Sequence, residues 1–103
     1  MDATRPRGVL PAIPTPVHAD DTIDVAATRT LIAYLLQQGI DGLVPLGGTG
    51  EYGALSRAER AKMAALCVEA VGGRVPVVPG VLDPGYHDAM ASGRAFAEAI
   101  ASW

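Results

Sequence analysis

At 103 residues, half of them apolar, the chain has the size and composition of one folded domain and not of a disordered segment. Its net charge of −3 and the scatter of its arginines argue against nucleic acid as a partner. No stretch reaches the ~20 apolar residues of a membrane span, so no membrane partner is expected. Cys67 is the single cysteine, which excludes an internal disulfide, and we expect a cytoplasmic protein in which it is a buried core thiol.

Three strands and three helices alternate in the predicted structure. The first strand, residues 8–14, is a short apolar run punctuated by prolines. Asp24 is placed to cap a helix over residues 25–38, with Gly39 as its stop. The spacing predicts that this helix buries the face made of Ala27, Leu31, Tyr34 and Leu35.

The second strand, residues 42–46, is a bounded apolar run of the kind found in strands covered on both faces. It leads into a glycine-dense turn, residues 47–51. Ser56 and Glu59 have the spacing of a capping box, in which the Glu59 side chain reaches back to the N-cap of the second helix. That helix is expected to stop at Gly72.

The third strand covers residues 75–81, and the third helix covers residues 86–101 with Met90, Phe96 and Ile100 to bury. Connections this short force parallel strands and right-handed crossovers. The fold class is therefore α/β. Two closures satisfy the pattern, an open doubly wound sheet and the beginning of an eightfold barrel.

The glycine turn is the candidate site. Three glycines surround Thr49, and they leave the backbone free to adopt positive φ and bare enough for a ligand to touch it. Several N–H groups can then converge on one anion, such as a carboxylate or a phosphate.

Residues 48–53 also match the dinucleotide fingerprint G-x-G-x-x-G. In that fingerprint the helix opens inside the glycine motif, whereas here the capping box starts it at Ser56. The acidic residue expected after the next strand is also missing, since that strand ends in Pro79 and Gly80. A non-catalytic α/β module that binds a small anion or a dinucleotide at residues 48–53 therefore stays as the alternative function.

These residues resemble the dihydrodipicolinate synthase and N-acetylneuraminate lyase family. The similarity runs in register from about Gly8 to Ala99, and its most specific part is the turn Gly-Thr-Gly-Glu with its spacing to Ser56 and Glu59. The resemblance implies a TIM (β/α)₈ barrel in which a lysine on a later strand forms a Schiff base with pyruvate or a related 2-oxo acid. It implies a class I lyase similar to 4-hydroxy-tetrahydrodipicolinate synthase, and a homotetramer for the full-length relative. No cofactor and no metal site is expected.

The resemblance also assigns roles within the turn. Gly48, through its backbone, and Thr49, through its backbone and hydroxyl, bind the substrate carboxylate. Gly47, Gly50 and Glu51 shape the turn, and we expect the Glu51 carboxylate to accept hydrogen bonds from turn N–H groups. The synthases usually carry a threonine at the position of Gly48, so aldolase and dehydratase activities stay open beside the synthase.

The chain has one lysine, Lys62, in the middle of the second helix. Schiff-base chemistry needs a desolvated amine with a lowered pKa, which a helix on the outer ring of a barrel does not provide. We therefore expect Lys62 at the surface and no catalytic residue in this chain. A complete barrel takes roughly 200–250 residues, so residues 1–103 are expected to be its amino-terminal portion, the first three β/α units, inactive alone. The last residues leave the family pattern, and we expect truncation or a shifted reading frame near Ala99.

Overall fold

The computed structural model describes residues 7–102. Its three α-helices are α1 (Val25–Gln37), α2 (Arg57–Val71) and α3 (Tyr86–Ser102). A 3₁₀ turn, Tyr52–Ala54, which the sequence did not predict, precedes α2. The helices alternate with three extended segments, so the predicted α/β order is confirmed.

The extended segments are held by few hydrogen bonds. We call them β1 (residues 9–13), β2 (residues 41–45) and β3 (residues 76–80), and β2 bonds to both of the others. The bridges Ala12–Val44 and Leu43–Val77 are both parallel. The order is therefore β1–β2–β3 with β2 in the centre, and the predicted parallel pairing is confirmed.

Continuous strands over residues 8–14, 42–46 and 75–81 are not observed, because the pairing is limited to isolated bridges. Proline explains the difference. Pro11, Pro45, Pro76 and Pro79 lie within or beside the paired positions, and each lacks the N–H that a ladder needs.

The helix boundaries follow their caps. The Asp24 carboxylate accepts a hydrogen bond from the N–H of Ala27 at 3.0 Å, and the Ser56 hydroxyl accepts one from the N–H of Glu59 at 3.2 Å. Gly72 ends α2 in the left-handed conformation, with φ of 61°.

The Glu59 side chain does not reach back to the N-cap of α2 as the capping box predicted. Its carboxylate accepts the N–H of Ile23 at 2.8 Å, a charge-assisted bond that ties the loop before α1 to α2.

The core lies between the three extended segments and the helices that cover one side of them. Its centre is made of side chains at most 1% exposed, among them Ile13, Leu43, Met63, Leu66 and Val71.

The thiol of Cys67 belongs to this core, and burial raises its pKa to about 12. The prediction of a buried core thiol is confirmed. Within residues 7–102 no helix has both the length and the apolarity to cross a bilayer.

The buried face of α1 agrees only in part with the predicted one, since Leu31 and Leu35 pack against the core as expected. Thr28 and Ile32 are buried, whereas Ala27 is exposed and Tyr34 is 57% exposed. Thr28 tolerates burial because its hydroxyl donates to the carbonyl of Asp24 at 2.8 Å. In α3, Phe96 is buried as expected, but Met90 is 40% exposed.

Candidate functional site

The glycine turn follows β2 and is bounded by two left-handed residues that are not glycine. Leu46, which is fully buried, has φ of 64°, and Glu51 has φ of 56°. The glycines between them do not adopt positive φ, which corrects the sequence-based expectation. Bulky residues in this conformation are strained by about 1–3 kcal/mol and are concentrated at functional sites.

Glycine is required at position 50 because no side chain fits there, and not because of its backbone angle. A Cβ atom at this position would lie 3.0 Å from the amide nitrogen of Leu46 and 3.2 Å from the carbonyl oxygen of Ile13. The hydroxyl of Thr15 donates to the carbonyl of Gly50 at 2.7 Å in a buried bond. Thr15 thus fixes the underside of the turn from the end of β1. Sequence reasoning missed this role, although the carboxyl ends of adjacent parallel strands do lie side by side.

The other side of the turn is open. A Cβ atom at Gly47 or Gly48 would meet no atom within 4 Å, and Gly48 and Thr49 are both exposed. The turn is closed by the N–H of Glu51, which donates to the carbonyl of Gly48 at 3.1 Å. Among the hydrogen bonds of residues 7–102, none has the N–H of Gly48 or Thr49 as its donor. Those two amides and the Thr49 hydroxyl are available to an anion.

Behind the turn lies a cluster of polar side chains that the sequence analysis did not identify. The hydroxyl of Tyr52 donates to Oδ2 of Asp83 at 2.8 Å, and Nη1 of Arg60 donates to Oδ1 of Asp83 at 3.2 Å. Nε of Arg60 donates to the carbonyl of Tyr52 at 2.9 Å, and the guanidinium carbon lies 4.0 Å from the centre of the Tyr52 ring. We call these three residues the Tyr52–Arg60–Asp83 cluster.

The cluster is set among further polar groups of α2 and α3. Nε of Arg57 donates to the Ser92 hydroxyl at 3.2 Å, and Arg57 lies 3.6 Å from the carboxylate of Asp88. A hydrogen bond from buried Ser92 lowers the pKa of Asp83, and the Tyr52 hydroxyl and the positive charges of Arg60 and Arg57 lower it further. Asp83 is therefore an ionised carboxylate at neutral pH.

This lowered pKa predicts an acid-sensitive fold. A carboxylate whose pKa is lower in the folded chain than in the unfolded one adds stability above its ordinary pKa, 3.8 for Asp83. That stability is lost as the pH falls below 3.8 and through the folded-state pKa. We expect Asp83→Asn to lower the urea concentration at the midpoint of unfolding at pH 7. We also expect this midpoint to fall less steeply in the variant than in the wild type as the pH is lowered below 3.8. Glu98→Gln, on the exposed surface of α3, controls for the lost charge. An unchanged acid decline in Asp83→Asn would contradict the assignment.

The structure corrects the role expected for Glu51. Its side chain is exposed, and no hydrogen bond among residues 7–102 ends at its carboxylate, so Glu51 shapes the turn through its backbone alone.

Replacing Glu51 by glycine should therefore stabilise the chain by about 0.5–1 kcal/mol, since the relief of left-handed strain exceeds the entropy cost of glycine. The same substitution at Glu98, inside α3, should destabilise by about 1 kcal/mol. Urea unfolding of both variants measures whether each substitution raises or lowers the free energy of unfolding. A destabilised Glu51→Gly would show that the carboxylate makes a stabilising contact.

Two other features lie away from the turn. Lys62 is half-buried in the middle of α2. An open groove of about 620 Å³ is lined by Thr30, Ala33, Tyr34, Leu36, Gln37 and Arg74. Since α1 ends just before β2 and Arg74 precedes β3, this groove lies at the amino ends of the extended segments, opposite the glycine turn. Neither feature adds a group to the candidate site.

Comparison with known proteins identifies the family of this chain. The sequence model of the dihydrodipicolinate synthetase family matches residues 5–99. The chain belongs to this family. The family resemblance drawn from the Gly-Thr-Gly-Glu turn is thereby confirmed.

Members of the family with different reactions are similar to the chain. It is 42% identical over 80 residues to a 4-hydroxy-tetrahydrodipicolinate synthase of Methylobacterium radiotolerans, covering 78% of this chain and 26% of that protein. It is 37% identical over 83 residues to a probable 2-dehydro-3-deoxy-D-pentonate aldolase of Escherichia coli K12, covering 81% of this chain and 28% of that protein. The chain thus spans little more than a quarter of the length of these relatives.

Solved structures of the family share the fold. A prophage protein of Escherichia coli K12 from the dihydrodipicolinic acid synthase family, in complex with pyruvate, superposes with a TM-score of 0.83 at 32% identity. The superposition covers 89% of this chain and 31% of that one. A dihydrodipicolinate synthase from Agrobacterium tumefaciens gives a TM-score of 0.85 at 29% identity, over 94% of this chain and 33% of that one.

Proposed function

We propose that this chain supplies the carboxylate-binding turn of a family lyase that acts on pyruvate or a related 2-oxo acid through a Schiff base. Gly48 and Thr49 bind the carboxylate, and Gly47, Gly50 and Glu51 shape the turn. The observation that carries the proposal is the open turn at the carboxyl end of β2, in which the amides of Gly48 and Thr49 donate to no acceptor within residues 7–102. A related structure that holds pyruvate supports the class of ligand.

The proposal includes an incomplete barrel made of the first three β/α units. Val77 packs against the core, so Val78, its neighbour along β3, faces the opposite side of the sheet, where it is 40% exposed. A parallel sheet is normally covered on both faces. Further β/α units would cover this face and pair with the outer edges of β1 and β3. The lengths agree with this, since the chain covers 31% and 33% of the two superposed structures.

The amine for the Schiff base comes from outside this chain. Lys62, its one lysine, lies in the middle of α2, which covers one side of the extended segments, while the turn lies at the carboxyl end of β2. A Schiff-base lysine has to be within bonding reach of the substrate keto group. The chain alone is therefore inactive, and its role is to bind and orient the carboxylate. Glycine at position 48 leaves aldolase and dehydratase activities open beside the synthase, and the similar proteins include a synthase and a probable aldolase.

Borohydride reduction in the presence of pyruvate tests the absence of a catalytic lysine. A Schiff base traps pyruvate covalently on reduction, and intact-mass measurement detects the adduct. We expect no adduct on this chain, whereas a stoichiometric adduct at Lys62 would overturn the claim that the amine lies elsewhere.

Thermal unfolding with and without pyruvate tests the binding role. A ligand that binds only the folded state raises the unfolding temperature. We expect pyruvate to raise it in the wild type and in Thr30→Ala, an exposed threonine of α1, but not in Thr49→Ala. If NAD raises the temperature and pyruvate does not, the turn is a dinucleotide site and the lyase proposal is wrong.

A further inference from the structure

The strongest unassigned feature is the Tyr52–Arg60–Asp83 cluster, which joins two loops at the carboxyl ends of neighbouring strands. Tyr52 directly follows the glycine turn, and Asp83 lies in the loop that connects β3 to α3. Arg60, from the first turn of α2, contacts both of them. One guanidinium therefore links the turn after β2 to the loop after β3.

Backbone hydrogen bonds hold the chain on both sides of the cluster. The N–H of Tyr52 donates to the carbonyl of Gly47 in a long hydrogen bond of 3.4 Å, which spans the turn already closed by Glu51 and Gly48. On the other loop, the N–H of Gly80 donates to the carbonyl of Pro45 at 2.9 Å. Because Tyr52 directly follows the turn and bonds back to Gly47, we expect a shift of Tyr52 to move the amides of the turn.

Stability alone is a poor explanation for the Arg60–Asp83 pair. Its side chains are only 13% and 11% exposed, so both charges have lost most of their hydration. Desolvated ion pairs are often no more stabilising than apolar residues of the same size. What the pair provides is directional geometry, because Nη1 and Nε of Arg60 donate to two different acceptors, the Asp83 carboxylate and the Tyr52 carbonyl, and so fix the plane of the guanidinium.

We propose that Arg60 and Asp83 are positioning residues that hold Tyr52, and through it the amides of Gly48 and Thr49, in the orientation that receives the substrate carboxylate. The inference rests on the proposed function of the turn. Neither residue touches the ligand. Arg60 fixes the backbone of Tyr52 through its carbonyl, and Asp83 fixes the ring through its hydroxyl. The Arg60 guanidinium stacked on the ring adds a cation–π contact that holds the same orientation.

The test uses the complete 103-residue chain, labelled with ¹⁵N, and three variants. Arg60→Lys keeps the charge but removes the fork that joins Tyr52 to Asp83. Tyr52→Phe keeps the ring and removes one hydrogen bond. Arg29→Lys is the matched control, because Arg29 pairs with Glu69 between α1 and α2 on the surface, away from the turn.

Two readouts separate positioning from a merely structural role. The first is the amide chemical shifts of residues 47–51 without ligand, which we expect to change in Arg60→Lys and Tyr52→Phe but not in Arg29→Lys. The second is the Kd for pyruvate, which we expect to rise about tenfold in Arg60→Lys, the loss typical of one hydrogen bond to a charged group. If Arg60→Lys does not fold, both readouts are taken from Tyr52→Phe.

Several results would overturn the inference. Turn amides that keep their shifts in both variants, while amides around Arg60 change, would show a structural role only. The inference also fails if the shifts change but the Kd of a pyruvate-binding wild type does not, or if the wild-type chain gives the spectrum of an unfolded protein. A folded wild type that binds no pyruvate refutes the proposed function separately, and the ligand-free shifts still decide whether the cluster positions the turn.

Discussion

Gly80→Ala is expected to destabilise the chain by about 2–3 kcal/mol, the upper part of the range for overpacked positions. A Cβ atom at Gly80 would lie 2.5 Å from the carbonyl oxygen of Leu46 and 3.1 Å from its carbonyl carbon. Both are backbone atoms of a buried residue that already has a left-handed φ of 64°. Relief would require β3 to move away from the turn, which would break the 2.9 Å bond from Gly80 to Pro45.

The same substitution at Gly93 is the matched control. Gly93 lies inside α3, and a Cβ atom there would meet no atom within 4 Å. Alanine is a better helix former than glycine, so Gly93→Ala should stabilise the chain by up to about 1 kcal/mol. Urea unfolding followed by circular dichroism measures both variants. Equal effects would show that the contact between β3 and Leu46 is not as close as described.

Leu43→Ala has an expected cost of about 2–5 kcal/mol, from the lost transfer free energy and from the cavity left behind. Leu43 is fully buried in β2, the segment that bonds to both neighbours. Since whole domains are stable by only about 5–15 kcal/mol, we expect the variant to be largely unfolded.

Leu82→Ala makes the same chemical change where the side chain is 51% exposed, and should shift the free energy of unfolding by less than about 1 kcal/mol. Urea unfolding of the two variants side by side gives the comparison. A folded Leu43→Ala with a midpoint close to that of Leu82→Ala would show that β2 does not form the centre of the core.

Local signals in the sequence were sufficient for the helices and their order. Asp24, Ser56 and Gly72 each act through the backbone of their own segment, so their capping roles follow from spacing alone. The parallel order followed as well, because the connections are short. What spacing could not give was the extent of pairing, since the prolines in the extended segments reduce it to isolated bridges.

Roles that depend on residues distant in sequence could not be predicted. Glu59 bonds to the backbone of Ile23 and not to its own N-cap, because a partly buried amide from another segment offered the better partner. Tyr52 and Asp83 are 31 positions apart, and no pattern within either segment marks them as partners. In the turn, the lack of space at Gly50 comes from the backbone of Leu46 and Ile13, and the positive φ angles fall on Leu46 and Glu51, so neither could be read from the glycine spacing.

The central claim is that the amides of Gly48 and Thr49 receive the carboxylate of a 2-oxo acid. The most direct test is a titration of the ¹⁵N-labelled chain with pyruvate, followed by its amide spectrum, with pyruvamide as the uncharged control. We expect the two amides to show the largest, saturable shifts with pyruvate and none with pyruvamide. Shifts confined to other residues, such as those around the groove at Arg74, or equal responses to both compounds, would contradict the claim.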